Sequence, residues 1–439
     1  MKKFNTAPIS GMQELLPSMQ ARFNDYKTAV YETYLAHGYL DIETPTIERA
    51  EILLAKAGGE TEKQIYKVVK TAELASEADQ ALRFDHTVPL ARYVVEHAND
   101  LCFPFKVTQI GRNFRGERPQ KGRFREFYQC DVDVIGWQTL PLAYDADVIA
   151  TLADALKVLP IDKFQIRVSN RKILAGVLTA LGLIAKQNEI FGVVDHIDKM
   201  SQHDWSEALR EVVANDEKAE KLEKFVRENR GEWREISSRM TIAGTSDEWA
   251  LYREGVSELG EVLDILDAAL SPELRGRVEV IADMSIVRGL DYYTGTVFET
   301  VATDYREFGS LCSGGRYESL ASNYTEQSLP GVGGSIGLTR LFSVLKNYNL
   351  VSENITRPVD ICIVPVSDQE IMASLQLAER LRQKSKKVDV ILTDKKLGDK
   401  MKYAAKVAKA AVVVGENEVT TDSYNIKNLE SGETKLLEI

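Results

Sequence analysis

Arginine and lysine crowd one stretch of this chain. Arg112, Arg115, Arg118, Lys121, Arg123 and Arg125 all fall within FPFKVTQIGRNFRGERPQKGRFREFYQCDVDVIG, residues 103–136, of a protein whose formal net charge is -11. Self-repulsion makes such a cluster costly unless a polyanion sits on it. The planar guanidinium fork suits phosphate, whose oxygens it grips in pairs. The stretch reads as strand, charged loop, strand. Residues two apart on a strand share a face, so Arg115 and Glu117 form one set and Arg123, Arg125 and Phe127 another. A cation for phosphate, a carboxylate that accepts from an exocyclic amine and a ring that stacks on a base are the requirements of an adenine nucleotide. The plain alternative is a solvated hairpin at a sheet edge, which the arginines alone would allow.

Other chemistries are disfavoured by spacing. The chain has no GxxxxGK[ST] phosphate loop. Gly333-Gly334-Ser335-Ile336-Gly337 matches GxSxG, but all 5 histidines precede Ser335, whereas a nucleophile-elbow hydrolase places its histidine after the serine. The same glycines miss the dinucleotide spacing, because Ile336 stands where the third glycine belongs. The 4 cysteines, Cys102, Cys130, Cys312 and Cys362, are far apart and lack zinc spacing. They read as reduced thiols of a cytoplasmic protein. His86 beside Asp85 reads as a packing or hydrogen-bonding histidine rather than a base.

The elements that must position these residues follow from periodicity. A helix over 18–38 leads into an extended piece broken by Pro45, which suits a strand end. Strands follow near 64–69 and 82–84, then a helix from Thr87, the basic hairpin, and a helix over 142–158. From 183 to 275 glycine thins out and charged helical runs dominate, which predicts a helical insertion. Strand patterning returns at RVEVIADMSIV and ends in the glycine-rich PGVGGSIGLTRLFSVLKNY. A polar linker closes at Pro358. Beyond it, strands and helices alternate as βαβαβ, predicting a small α/β domain over 358–439. Within it KLGDKMKYAAKVAKA reads as one helix, with Lys402, Lys406 and Lys409 on a shared face at spacings of four and three. The 439 residues, 44% hydrophobic and 28% charged, suit a multidomain globular protein. No apolar run approaches a membrane span or a signal peptide, and the acidic balance argues against a general DNA coat.

Three segments in order now resemble the motifs of class II aminoacyl-tRNA synthetases. Thr44-Pro45-Thr46-Ile47-Glu48 is similar to motif 1, Arg115-x-Glu117 through Arg123-x-x-x-Phe127 to motif 2, and Gly333 through Arg340 to motif 3. Arg288-Gly289-Leu290-Asp291-Tyr292-Tyr293-Thr294-Gly295-Thr296-Val297-Phe298-Glu299 resembles the signature peptide of the histidyl-tRNA synthetase family, and Ser313-Gly314-Gly315-Arg316-Tyr317 its second peptide. Gly11-Met12-Gln13-Glu14-Leu15-Leu16-Pro17 is similar to its opening. The resemblance covers essentially the whole chain. It implies an α+β catalytic core on an antiparallel sheet, in two parts (1–182 and 276–350), interrupted by the helical insertion at 183–275 and followed by an α/β anticodon-binding domain. The chain ends soon after its last strand, where relatives commonly add a short helix, so this domain is expected to be trimmed.

What the resemblance implies for the site is specific. Arg115 holds the α-phosphate of ATP, Glu117 reads the adenine amine, Phe127 stacks on the ring, Arg123 holds the outer phosphates, and Arg340 lies over the adenine or near the γ-phosphate. Arg288 serves at the α-phosphate, with Mg2+ carried on ATP and pyrophosphate. Asp133 and Tyr293 face the imidazole of L-histidine. Asp85, Thr87 and Gln129 face its amine, Tyr317 lines the pocket, and Arg288 and Tyr292 complete the set. Many bacterial members carry glutamate where this chain has Asp85 and Asp133, so the contact distances are expected to differ while the roles remain. Arg118, Gln120 and Lys121 are implied at the acceptor end of tRNA(His), and Lys402, Lys406 and Lys409 in the anticodon domain. The implied assembly is a cytoplasmic homodimer joined through motif 1. Two other readings are a regulatory paralogue of an ATP phosphoribosyltransferase and an RNA-binding protein without catalysis. The intact signature peptide and the complete set of arginines disfavour them.

Overall fold

The computed structural model describes residues 4–55, 62–72, 78–120, 122–240, 246–287, 292–306, 309–318, 320–351 and 357–438. They form two compact units, one of Met1–Gln13 with Tyr26–Leu350 and one of Glu14–Asp25 with Val351–Ile439.

The first unit is built on a mixed sheet. Its strands are β1 (Leu40–Asp41), β5 (Phe105–Phe114), β6 (Glu126–Ile135), β7 (Phe164–Asn170), β8 (Arg230–Gly231), β9 (Val278–Asp283), β10 (Thr296–Ala302), β11 (Ser310–Tyr317) and β12 (Gly331–Ile336), in the order β1-β5-β6-β12-β11-β10-β7-β9-β8. From β5 to β7 every neighbour is antiparallel, while β1 joins β5 and β9 joins β7 in parallel. A small sheet, β2 (Ile47–Arg49), β4 (Gln80–Leu82) and β3 (Lys67–Val68), stands beside it. Pro45 precedes β2, outside the pairing, as its missing N–H requires.

Helices α1 (Pro17–Ala36), α2 (Ala50–Leu54), α3 (Thr87–Glu96), α4 (Ala143–Leu156) and α5 (Arg171–Ala180) precede a helical run. That run contains α6 (Gln187–Val194), α7 (Gln202–Val213), α8 (Asp216–Glu228), α9 (Trp233–Met240) and α10 (Ala250–Ala269), and α11 (Leu338–Asn347) follows β12. Helices α5 and α10 pack on one another, and α4 packs on α10 and β12. Alternation along β11 turns Arg316 toward α4, where its Nη2 donates to Asp145 Oδ2 at 2.6 Å. Both side chains are buried, so each charge relies on the other.

The second unit carries a five-stranded sheet, β14 (Val388–Val390), β13 (Val359–Pro365), β15 (Ala408–Val414), β16 (Asn425–Asn428) and β17 (Thr434–Leu436), in that order. Helices α12 (Ile371–Gln383), α13 (Leu397–Val407) and α14 (Glu416–Thr421) connect its strands. Strands β14, β13 and β15 are parallel, as the βαβαβ pattern predicts. One expectation fails here. The backbone turns extended at Ala408 (φ -124, ψ 152), ending α13 and opening β15. Lys409 is therefore a strand residue, held by Asp360 at 2.9 Å, and shares no helix face with Lys402 and Lys406. Pairing of β15 with β13 outweighs the helical preference of an alanine-rich run.

Candidate active site

The registers of the large sheet set one row of side chains across six strands. Gln109 lies opposite Asp131, Asp131 opposite Ser335, Ser335 opposite Ser313, Ser313 opposite Glu299, and Glu299 opposite Arg167. A parallel row two residues along contains Asp133, Gly333 and Gly315 on the same face. Above it lies a cleft of about 520 Å³.

Among the described residues, three arginines reach this cleft: Arg115, Arg123 and Arg340. Strand β5 ends at Phe114 and β6 begins at Glu126, so Arg115 to Arg125 form a loop rather than continuing strands. The two-residue alternation expected of them does not apply. Loop contacts orient them instead. The Arg115 guanidinium lies 4.3 Å from the ring centre of Phe84 and 5.0 Å from that of Phe127. Arg123 Nη1 donates to Glu117 Oε2 at 3.2 Å. Arg125 turns away, donating to the carbonyls of Glu117 and Ser10, and so does not join Arg123 and Phe127. Burial, then the neighbouring Arg123, lower the pKa of Arg340 from its ordinary value. Two cations facing the same space favour an anion between them.

The cleft is also rich in carboxylates. Asp85 Oδ1 accepts from the Val88 N–H at 3.0 Å in the first turn of α3, satisfying one of that helix's orphan donors. Pro89 in the same turn has no N–H to satisfy. Burial raises the Asp85 pKa. Burial, and then Asp131, push Asp133 up to about 8 against the opposing hydrogen bond from Tyr317 Oη at 2.8 Å. Gln129 Nε2 donates to Ser335 Oγ at 2.6 Å, and Thr87 and Tyr293 complete this wall.

Most of the nominated residues thus meet. Arg115, Glu117, Arg123, Phe127 and Arg340 line one part of the cleft, and Asp85, Thr87, Gln129, Asp133, Tyr293 and Tyr317 another. Tyr292 is buried behind this wall, edge-on to Tyr293 and Tyr317 at ring separations of 5.1 and 5.9 Å, and does not line the cleft. Arg118 and Gln120 are exposed on the motif 2 loop. Arg288 and Lys121 lie outside the described residues. Gln64, Phe84 and Asp131 also line the cleft without having been nominated. Asp131 was legible as the residue two before Asp133 on the same strand face, whereas Gln64 carried no sequence signal.

An antiparallel sheet floor, a loop of arginines between its first long strands and a glycine-rich last strand leading into a helix define a class II aminoacyl-tRNA synthetase core. The histidyl-tRNA synthetase profile matches residues 11–341, and an anticodon-binding-domain profile matches residues 360–439. A histidine–tRNA ligase of Finegoldia magna is 42% identical over 433 residues, covering 98% of this chain and 97% of the relative. One of Clostridium tetani is 40% identical over 436 residues, with 98% and 96% covered. The crystal structure of histidyl-tRNA synthetase from Nostoc sp. PCC 7120 superposes with a TM-score of 0.86 at 33% identity, covering 99% of this chain and 97% of that one. The chain belongs to the histidyl-tRNA synthetase family.

Proposed function

We propose that the protein joins L-histidine to its cognate tRNA in two steps, through a histidyl-adenylate. The observation that carries this reading is one cleft lined, among the described residues, by three arginines and by a wall of carboxylates and tyrosines. In the first step a histidine carboxylate oxygen attacks the α-phosphorus of ATP, forming the acyl–phosphate bond as pyrophosphate leaves. The reaction needs alignment and charge neutralisation more than a protein base. Arg115 steadies the α-phosphate, with Arg288 assigned beside it. Arg123 and Arg340 take the outer phosphates, which requires Arg123 to leave Glu117, and Glu117 is then free to accept from the adenine amine over Phe127. Mg2+ enters on ATP and leaves on pyrophosphate. In the second step a ribose hydroxyl of the tRNA terminus attacks the acyl carbon and AMP departs.

Selection of histidine follows from its imidazole, which offers one donor and one acceptor when neutral. Asp133 and Tyr293 pair with the two ring nitrogens, while Asp85, Thr87 and Gln129 receive the ammonium. The motif 2 segment with Arg118, Gln120 and Lys121 meets the acceptor end of tRNA, and the second unit, with Lys402 and Lys406, meets the anticodon. A homodimer through motif 1, acting in the cytoplasm, completes the reading. Among the described residues no helix is long and apolar enough to cross a membrane.

The test is ATP–pyrophosphate exchange with each standard amino acid, without tRNA. Exchange with histidine alone establishes chemistry and pocket together. Absence of exchange with every amino acid in folded protein overturns the reading.

A further inference from the structure

His86 has no part in the reading above, yet it is fully buried beside the cleft, with Nδ1 2.8 Å from Asp131 Oδ2. Asp131 is buried too, stands between Gln129 and Asp133 on one face of β6, and lines the cleft. Three buried polar atoms in this cluster have no hydrogen-bond partner among the described residues: His86 Nε2, Asp131 Oδ1 and Asn113 Oδ1. Orphaned polar atoms are costly, and several together call for a use rather than a packing explanation.

The hydrogen bonding fixes orientations. A bare nitrogen would repel a carboxylate oxygen at 2.8 Å, so Nδ1 carries the proton and donates to Asp131. Asn113 Nδ2, 3.4 Å from that nitrogen, is then a second donor and directs one of its two hydrogens to Gln129 Oε1 at 2.8 Å. Gln129 Nε2 is held by Ser335. Both ends of the Gln129 amide are thereby assigned, and its oxygen keeps one lone pair for the cleft. The His86 carbonyl accepts from Gln109 Nε2 at 3.3 Å, and Gln109 Oε1 accepts from Thr44, so the pair rests on a braced support. Asp131 adds a third carboxylate to Asp85 and Asp133 in the cleft, with Arg83 and Arg115 as nearby cations among the described residues.

We propose that His86 and Asp131 are a positioning pair for the α-ammonium group of the substrate. Asp131 supplies a fixed negative charge in the wall of the subsite. His86 holds that carboxylate by Oδ2, while Asn113 Nδ2, by donating to Gln129 Oε1, fixes the amide whose remaining lone pair faces the ammonium. The inference rests on the proposed assignment of Asp85, Thr87 and Gln129 to the amine.

The experiment compares equilibrium binding of histidine and of 3-(imidazol-4-yl)propionate, which lacks only the amine, to the full chain. The readout is the ratio of the two affinities. Asp131→Asn keeps the shape and removes the charge. It should lower the ratio by roughly 10- to 100-fold through loss on histidine alone. His86→Leu should do the same, whereas His86→Asn, whose amide nitrogen stands near the place of Nδ1, should restore the ratio. A merely structural pair would weaken both ligands equally, and an unchanged ratio in Asp131→Asn overturns the proposal. Should His86→Leu fail to fold, Asp131→Asn and His86→Asn still decide it. Gln129→Ala separates the two levels. A ratio it leaves untouched refutes the amine subsite and the pair with it. A ratio that responds to Gln129→Ala but not to Asp131→Asn refutes the pair alone.

Discussion

Tyr317 donates to Asp133 at 2.8 Å, and both side chains lie over backbone that carries no side chain of its own. A Cβ at Gly333 would overlap Asp133 Oδ1, and one at Gly331 would overlap the Tyr317 ring. The glycines of β12 are thus the floor on which this pair rests. Gly333→Ala should displace the Asp133 carboxyl and raise the KM for histidine about tenfold or more, with the KM for ATP little changed. Overpacking of this kind costs about 1–3 kcal/mol, so thermal stability should fall as well. An unaltered histidine KM in steady-state exchange would show that Asp133 does not contact the amino acid.

Asp133 makes a second prediction, about stability. Its folded pKa is pushed up to about 8, above the ordinary carboxylate value of 3.8. Between those values the folded protein holds a proton that the unfolded chain has released. Stability attributable to this group therefore falls as pH rises from about 4 to about 8, by up to about 1.4 kcal/mol per unit, and is level above that. Asp133→Asn removes the dependence. Urea midpoints measured at pH 5 and pH 8 should fall further in wild type than in the variant. Equal falls would place the proton elsewhere.

The phosphate end makes a third. Arg123 donates to Glu117 at 3.2 Å, and it also disfavours the charge on Arg340. Arg123→Gln removes a charge-assisted contact to the outer phosphates and should raise the KM for ATP roughly 10- to 100-fold, leaving that for histidine near wild type. Parallel loss for both substrates would mean that the loop had collapsed rather than lost a contact.

These sites were legible to different degrees for physical reasons. Arg115, Glu117, Phe127 and Arg340 were found because residue type and chain order carry the chemistry, even though the strand alternation invoked for the loop was wrong. The parallel sheet order of the second unit followed from alternating strand and helix patterns. The ion pair of Arg316 with Asp145 joins residues 171 positions apart, and no local pattern announces it. Asp131 shares the alternation of Asp133, but alternation reports a face, not whether that face meets solvent, core or cleft. Tyr292 follows the signature peptide into the fold and then packs behind the wall, since adjacent aromatic residues in an irregular segment need not point the same way.

Lys402 and Lys406 are both exposed on α13, whereas Lys409 lies on β15 beside Asp360. Lys402 pairs with Asp399 at 3.1 Å, but an exposed pair of this kind is worth little and yields readily to a phosphate. If α13 meets the tRNA backbone, the double change Lys402→Gln and Lys406→Gln should weaken tRNA binding and lower the slope of log affinity against log salt by about 1–2, since each phosphate contact contributes about 0.7–0.9. Lys409→Gln should leave that slope unchanged, and aminoacyl-adenylate formation should be normal in both variants. Filter binding across a salt series separates the cases. An effect from Lys409→Gln equal to that of the double change would move the contact from the helix to the sheet, and no effect from either would remove this surface from the anticodon interface.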